Sequence, residues 1–121
     1  MTHDINIHHE NNHESASSYL VGEIKNLLVN SNRDFSIGLS GGNTPKLTYS
    51  MIAENFDDLS KTFIWTIDDR WIEEDNDLSN QRMINEYFER TDANILKFEF
   101  TSSSPESDAK KYEDKLKSTI Q

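Results

Sequence analysis

Phe35-Ser-Ile-Gly-Leu-Ser-Gly-Gly-Asn-Thr-Pro-Lys46 is the stretch from which the rest of the chain can be read. It opens as a short apolar run, Phe35 to Leu39, of the kind that forms a buried strand. The run stops at Ser40-Gly41-Gly42-Asn43, and Thr44 can then cap a helix whose first turn holds Pro45, where a missing N–H costs nothing. Strand, small polar loop and helix N-terminus together make an anion site. Unpaired amides and the positive end of the helix dipole face the loop, and glycines let a bulky oxyanion reach the backbone. A plain βα turn without ligand has the same local pattern. The P-loop spacing G-x-x-x-x-G-K-[ST] is absent, and no third glycine completes a dinucleotide fingerprint.

A second stretch bears on that choice. Thr62-Phe-Ile-Trp-Thr-Ile67 is β-branched and aromatic throughout, which suits a central parallel strand covered on both faces. It ends in Asp68-Asp-Arg-Trp-Ile-Glu-Glu-Asp75. Sites in open α/β sheets lie beyond the carboxyl ends of the strands, so Asp68, Asp69 and Arg70 are expected on the same edge as Ser40–Thr44. A guanidinium there binds phosphate through two parallel hydrogen bonds, and a carboxylate orients a base or a sugar hydroxyl. An Asp–Arg pair that merely closes a loop is the other reading.

Bulk properties set the frame. The 121 residues carry a formal charge of −10, which speaks against nucleic acid or an anionic membrane as partner. A phosphorylated ligand then requires Lys46, Arg70 and Arg82 to gather at the loop while the acids stay outside. There is no cysteine, so disulfides and thiolate metal sites are excluded. No run approaches the roughly 20 apolar residues of a membrane span. Met1-Thr-His-Asp-Ile5 lacks the features of a signal peptide, and a cytoplasmic location is expected. The four histidines, His3, His8, His9 and His13, do not form a metal site: adjacent strand residues point to opposite faces and no other ligand completes the set.

The remaining elements follow in order. Asp4–His9 alternates at Ile5 and Ile7 and predicts a short edge strand. Asn11 and Glu14 resemble a capping box, before a helix ending near Asn30 with the stripe Leu20, Ile24, Leu27 and Leu28. Leu47, Met51 and Ile52 give the next helix its inner face. Asp77-Leu-Ser-Asn80 starts a further helix with Ser79 as cap, Asn80 and Arg82 in its first turn, and Met83, Ile84, Tyr87 and Phe88 inward. Ile95–Phe100 predicts a strand with Phe98 and Phe100 on one side. Ser104-Pro105 opens a last helix with the stripe Ala109, Tyr112, Leu116 and Ile120. Helices alternating with strands give an α/β fold: a three-layer, mostly parallel, Rossmann-like sheet with helices on both faces, four strands and four helices in a single domain, residues 1–121.

Three blocks in sequence, Leu39-Ser-Gly-Gly-Asn-Thr-Pro-Lys46, Trp65-Thr-Ile-Asp-Asp-Arg-Trp-Ile72 and Asp77-Leu-Ser-Asn-Gln-Arg-Met83, resemble the N-terminal half of a 6-phosphogluconolactonase, within the glucosamine-6-phosphate isomerase/deaminase-like group. The family pattern is L-S-G-G-[ST]-T-P, then D-E-R-W-V, then D-x-x-S-N-x-x-M. Asn43 and Asp69 depart from it conservatively; Arg70 and Ser79-Asn80 resemble the lactonase branch rather than the deaminase branch. The resemblance implies hydrolysis of 6-phospho-D-glucono-1,5-lactone to 6-phosphogluconate without cofactor or metal. It implies that Ser40, Gly41, Gly42, Asn43, Thr44, Lys46, Asp69, Arg70, Asn80 and Arg82 bind the phosphosugar, with Asp68 near the lactone as the catalytic candidate. The alternatives are a glucosamine-6-phosphate deaminase-like isomerase and a non-catalytic phosphosugar-binding module.

The family's later G-x-D-G-H-T-A-S-L-F-P segment, whose His acts as general base, has no counterpart here; all four histidines lie within the first thirteen residues. The fold is therefore expected to be incomplete at its C-terminal side, and the reaction incomplete in this chain alone. A fragment, one half of a split enzyme, or a decayed module would each look this way. In each case an exposed sheet edge invites a complementary C-terminal half or self-association.

Overall fold

The computed structural model describes residues 4–30 and 33–120. Four helices and three strands follow one another: α1 (His13–Val29), β1 (Phe35–Leu39), α2 (Lys46–Asn55), β2 (Thr62–Thr66), α3 (Asn80–Phe88), β3 (Asn94–Leu96) and α4 (Pro105–Thr119). The strands form one parallel sheet in the order β1-β2-β3, with Ile37 beside Ile64 and Ile64 beside Ile95. β2 is the central strand, as its unbroken apolar run predicts.

One face of the sheet, carrying Leu39 and Ile64, packs on Ile24 of α1, Tyr49 and Ile52 of α2, and Ile84 and Phe88 of α3. On the other face Ser36 and Phe63 border Thr119 and Ile120 at the C-terminal end of α4. Helices therefore cover both sides, although three of the four sit on one. At the β3 side of β2, Thr66 lies one residue past the last ladder pair. The Tyr112 hydroxyl of α4 fills that gap: it accepts from the Thr66 amide at 2.8 Å and donates to the Thr66 carbonyl at 3.0 Å. One side chain thus satisfies two groups that a longer strand would have paired.

Several expectations need correction. Residues 4–9 form no strand, because a strand requires a ladder partner and none is present among the described residues; Ile5 and Ile7 stay 83% and 75% exposed. His8 instead stacks on Tyr19, ring centroids 3.4 Å apart. Asn12, not Asn11, caps α1, its side chain accepting from the Ser15 amide at 2.8 Å. The face of α1 that meets the core is Ser17, Val21, Ile24 and Leu28, while Leu20 and Leu27 face outward. Apolar residues stand on two adjoining sides of that helix, and the sheet selects one. The second helix begins at Lys46, and Pro45 precedes it with no side-chain cap, so Thr44 does not play that part.

Its buried residues are Thr48, Tyr49 and Ile52, with Leu47 and Met51 only half-buried. The strand predicted for Ile95–Phe100 is Asn94–Leu96. Phe98 and Phe100 lie beyond it, where their rings meet Tyr112 and Trp71 edge-on. On α4 the buried position is Asp108, whereas Ala109 is exposed. Among the described residues there are three strands rather than four. Ser79 and Ser104 cap α3 and α4 as expected, accepting from the amides of Arg82 and Ser107.

Candidate functional site

A cleft of about 300 Å³ opens beyond the carboxyl ends of β1 and β2. It is lined by Gly42 and Asn43 from the loop after β1 and Lys46 at the start of α2, by Arg70 and Asp77–Ser79 from the loop after β2, and by Asn80, Arg82, Met83 and Glu86 of α3. The glycine turn and the guanidinium that followed the second strand therefore share one edge of the sheet.

The glycine turn is shaped by two different constraints. Gly42 adopts φ +94, a left-handed conformation that side chains disfavour. Gly41 is needed for closeness: a Cβ there would stand 2.1 Å from Asn80 Oδ1. The Tyr49 hydroxyl donates to the Ser40 carbonyl at 2.8 Å and steadies the turn from beneath, and burial raises its phenol above the ordinary value. Among the described residues, no protein acceptor takes the amides of Gly41, Gly42, Asn43 or Thr44.

The second loop is organised by Asp69. Its Oδ1 accepts from the amides of Arg70 and Asn80, both at 2.8 Å, and its Oδ2 accepts from the Gln81 amide at 3.0 Å. These bonds fill the orphan donors at the start of α3 beside the Ser79 cap, with a negative charge at the positive end of the helix. Asp69 holds the loop against the helix and does not line the cleft.

Asn80 joins the two loops. Its Nδ2 donates to the Asp68 carbonyl at 3.1 Å, its Oδ1 accepts from Arg70 Nη1 at 3.4 Å, and its side chain abuts Gly41. Arg70 Nη1 also donates to the Leu78 carbonyl at 3.2 Å. These partners are neutral, so neither Arg70 nor Lys46 forms an ion pair among the described residues. Two uncompensated cations and a row of open amides make the cleft attractive to an anion, despite the acidic chain.

Arg82 differs. It pairs with Asp77 and, at 3.1 Å, with Glu86, and donates to the Asp75 carbonyl at 2.7 Å. Its hydrogen bond to Glu86, then the charge of Asp77, raises its already high pKa. The expectation that acids stay outside the cleft is thereby corrected: Asp77 and Glu86 line it and neutralise Arg82. The i, i+4 spacing of Arg82 and Glu86 carries a signal for that pair, which sequence reasoning missed. Of the residues expected at the site, Gly42, Asn43, Lys46, Arg70, Asn80 and Arg82 line the cleft; Ser40, Gly41, Thr44, Asp68 and Asp69 do not. His8, His9 and His13 lie away from it, and His3 falls outside the described residues.

The family described as glucosamine-6-phosphate isomerases/6-phosphogluconolactonase matches residues 8–121. The chain belongs to this family. A 6-phosphogluconolactonase of Synechocystis sp. is 34% identical over 90 residues, which make up 71% of this chain and 38% of that protein. The crystal structure of the 6-phosphogluconolactonase from Thermotoga maritima superposes with a TM-score of 0.76 at 28% identity, over 88% of this chain and 50% of that one. One from Shewanella baltica OS155 shares the fold at 23% identity, with a TM-score of 0.74 over 90% of this chain and 47% of that one. The chain thus spans about half the length, or less, of these relatives.

Proposed function

We propose that this chain supplies the phosphosugar-binding half of a 6-phosphogluconolactonase, acting on 6-phospho-D-glucono-1,5-lactone in the cytoplasm, in the oxidative pentose phosphate pathway. The observation that carries this reading is the convergence of the Gly42 turn with Lys46 and Arg70, cations without acid partners among the described residues, in a member of this family. The open amides after β1 and the Arg70 fork would hold the phosphate, and Asn80 would keep the two loops in register. Hydrolysis of the lactone needs a base to activate water and donors for the developing oxyanion. No histidine of this chain's described residues lines the cleft, and no G-x-D-G-H segment is present in the sequence. The base would come from a part equivalent to the remaining half of the longer relatives. Among the described residues the outer edge of β1 has no strand partner, and Leu20, Leu27 and Val29 of α1 are exposed; each favours docking of such a part.

Calorimetric titration with 6-phosphogluconate tests the reading directly. Saturable binding with no lactone hydrolysis above background is the expected result for the chain alone. Absence of saturable binding would remove the assignment of this cleft.

A further inference from the structure

The loop bearing Asp69 and Arg70 is fastened at more than one point. Asp69 ties its beginning to α3, as described above. Near its end, Asn85 and Arg82 of α3 bond to Glu74 and the Asp75 carbonyl. Between them stands Trp71, whose indole N–H donates to Asp108 Oδ2 at 3.0 Å. Asp108 lies in the first turn of α4 and is 1% exposed. Its other contacts come from Thr101: the amide donates to Oδ2 at 2.8 Å and the hydroxyl to Oδ1 at 2.5 Å. Phe100 packs edge-on against the Trp71 ring, centroids 5.2 Å apart. A buried carboxylate outside the cleft, satisfied by three donors, therefore grips the residue next to Arg70.

That grip matters because Arg70 is weakly held by its own side chain. Its contacts to Leu78 and Asn80 are 3.2 and 3.4 Å long and involve no charge. The guanidinium's place then depends on the backbone that carries it. We propose that Asp108 is a positioning residue for the cleft, fixing through Trp71 the backbone from which Arg70 reaches the phosphosugar. This rests on the phosphosugar reading for its ligand, but not for the tether itself.

Trp71→Phe removes the indole donor and keeps an aromatic ring beside Phe100. Thr101→Val removes one bond to Asp108 and leaves Trp71 engaged. Amide hydrogen exchange of unliganded protein and calorimetric affinity for 6-phosphogluconate are measured for both. Trp71→Phe is expected to speed exchange across residues 69–75 and to weaken affinity about tenfold, the scale of one lost hydrogen bond to a charged group. Thr101→Val is expected to lower the thermal midpoint while leaving both readouts within about twofold of the parent, as an effect local to Asp108. Asp108→Asn added to Trp71→Phe should weaken affinity no further. Unchanged exchange across 69–75 in Trp71→Phe, or an equal loss of affinity in Thr101→Val, would overturn the tether. Should the parent protein not bind 6-phosphogluconate, the phosphosugar reading fails, and the exchange comparison still decides the tether.

Discussion

At the scale of residues, the cleft rests on a few close fits. Arg70 is one of the two cations of the cleft, with Lys46, that have no acid partner among the described residues. Arg70→Ala is expected to weaken 6-phosphogluconate binding by about tenfold or more, the range for a lost charge-assisted hydrogen bond, and Arg70→Lys to restore only part of it. Titration calorimetry measures both, and full affinity in the alanine variant would take Arg70 out of the site. Gly41 makes a different point. Since a Cβ there meets Asn80 at 2.1 Å, Gly41→Ala must push away the side chain that links Asp68 to Arg70. A loss of about 1–3 kcal/mol in stability is expected, as for other overpacked sites, together with weaker ligand binding. Urea unfolding and calorimetry check it; a variant as stable as the parent would mean that Asn80 yields easily. The need for glycine at this position was legible in the sequence, but its cause was not. The pattern suggested room for a ligand, whereas the nearest obstacle is the side chain of Asn80, distant in the chain.

At the scale of elements, the loop between β2 and α3 is built around two carboxylates with different tasks. Asp69 supplies both oxygens to the first turn of α3, where Ser79 already caps. Asp69→Asn is expected to lower stability by about 1 kcal/mol, the usual worth of a charged group at a helix N-terminus. The change should appear as a lower urea midpoint with an unchanged slope. Asp108 carries a pH signature. Hydrogen bonds from the Thr101 amide, the Thr101 hydroxyl and the Trp71 indole hold its carboxyl below the ordinary value of 3.8. A carboxyl depressed in the folded state adds stability above its unfolded pKa, and that contribution fades as pH falls through the folded value. Thermal midpoints should therefore drop below about pH 4 in the parent and drop less steeply over that range in Asp108→Asn. Parallel curves for the two proteins would contradict this. Sequence patterning placed α3 and α4 correctly because caps and proline are local signals. It put Ala109 rather than Asp108 on the inner side, because an apolar stripe gives no warning that a carboxylate will find three donors.

At the scale of the whole molecule, β1 and β3 are the outer strands of the sheet, and among the described residues neither has a strand on its far side. Tyr112 serves only Thr66 of β2, beside the short β3, and the longer β1 presents the larger open edge. In a parallel ladder alternate residues face one neighbour; Phe35 donates to Lys61, so Ser36 and Gly38 present their amides outward. Those two amides are expected to exchange far faster than those of Ile37 and Leu39. Addition of a complementary half should slow them selectively. Equal protection in the isolated chain would show that the edge is already covered. Light scattering over a range of concentrations offers a second check, since an open strand edge promotes association.

Sequence alone determined the features whose causes lie within a few residues of one another. These are the strands Phe35–Leu39 and Thr62–Thr66, the caps Ser79 and Ser104, the glycine turn, and the order of motifs that marks the family. Tertiary structure decided what depends on partners distant in the chain. It left residues 4–9 without a ladder and chose which side of α1 to bury. It gave Asp69 to a helix end rather than to the cleft, and set Asp77 and Glu86 against Arg82. Local conformation is governed by sterics and short-range hydrogen bonds that a sequence displays directly. Which donors, acceptors and apolar faces satisfy one another is settled only once the sheet has brought distant segments together.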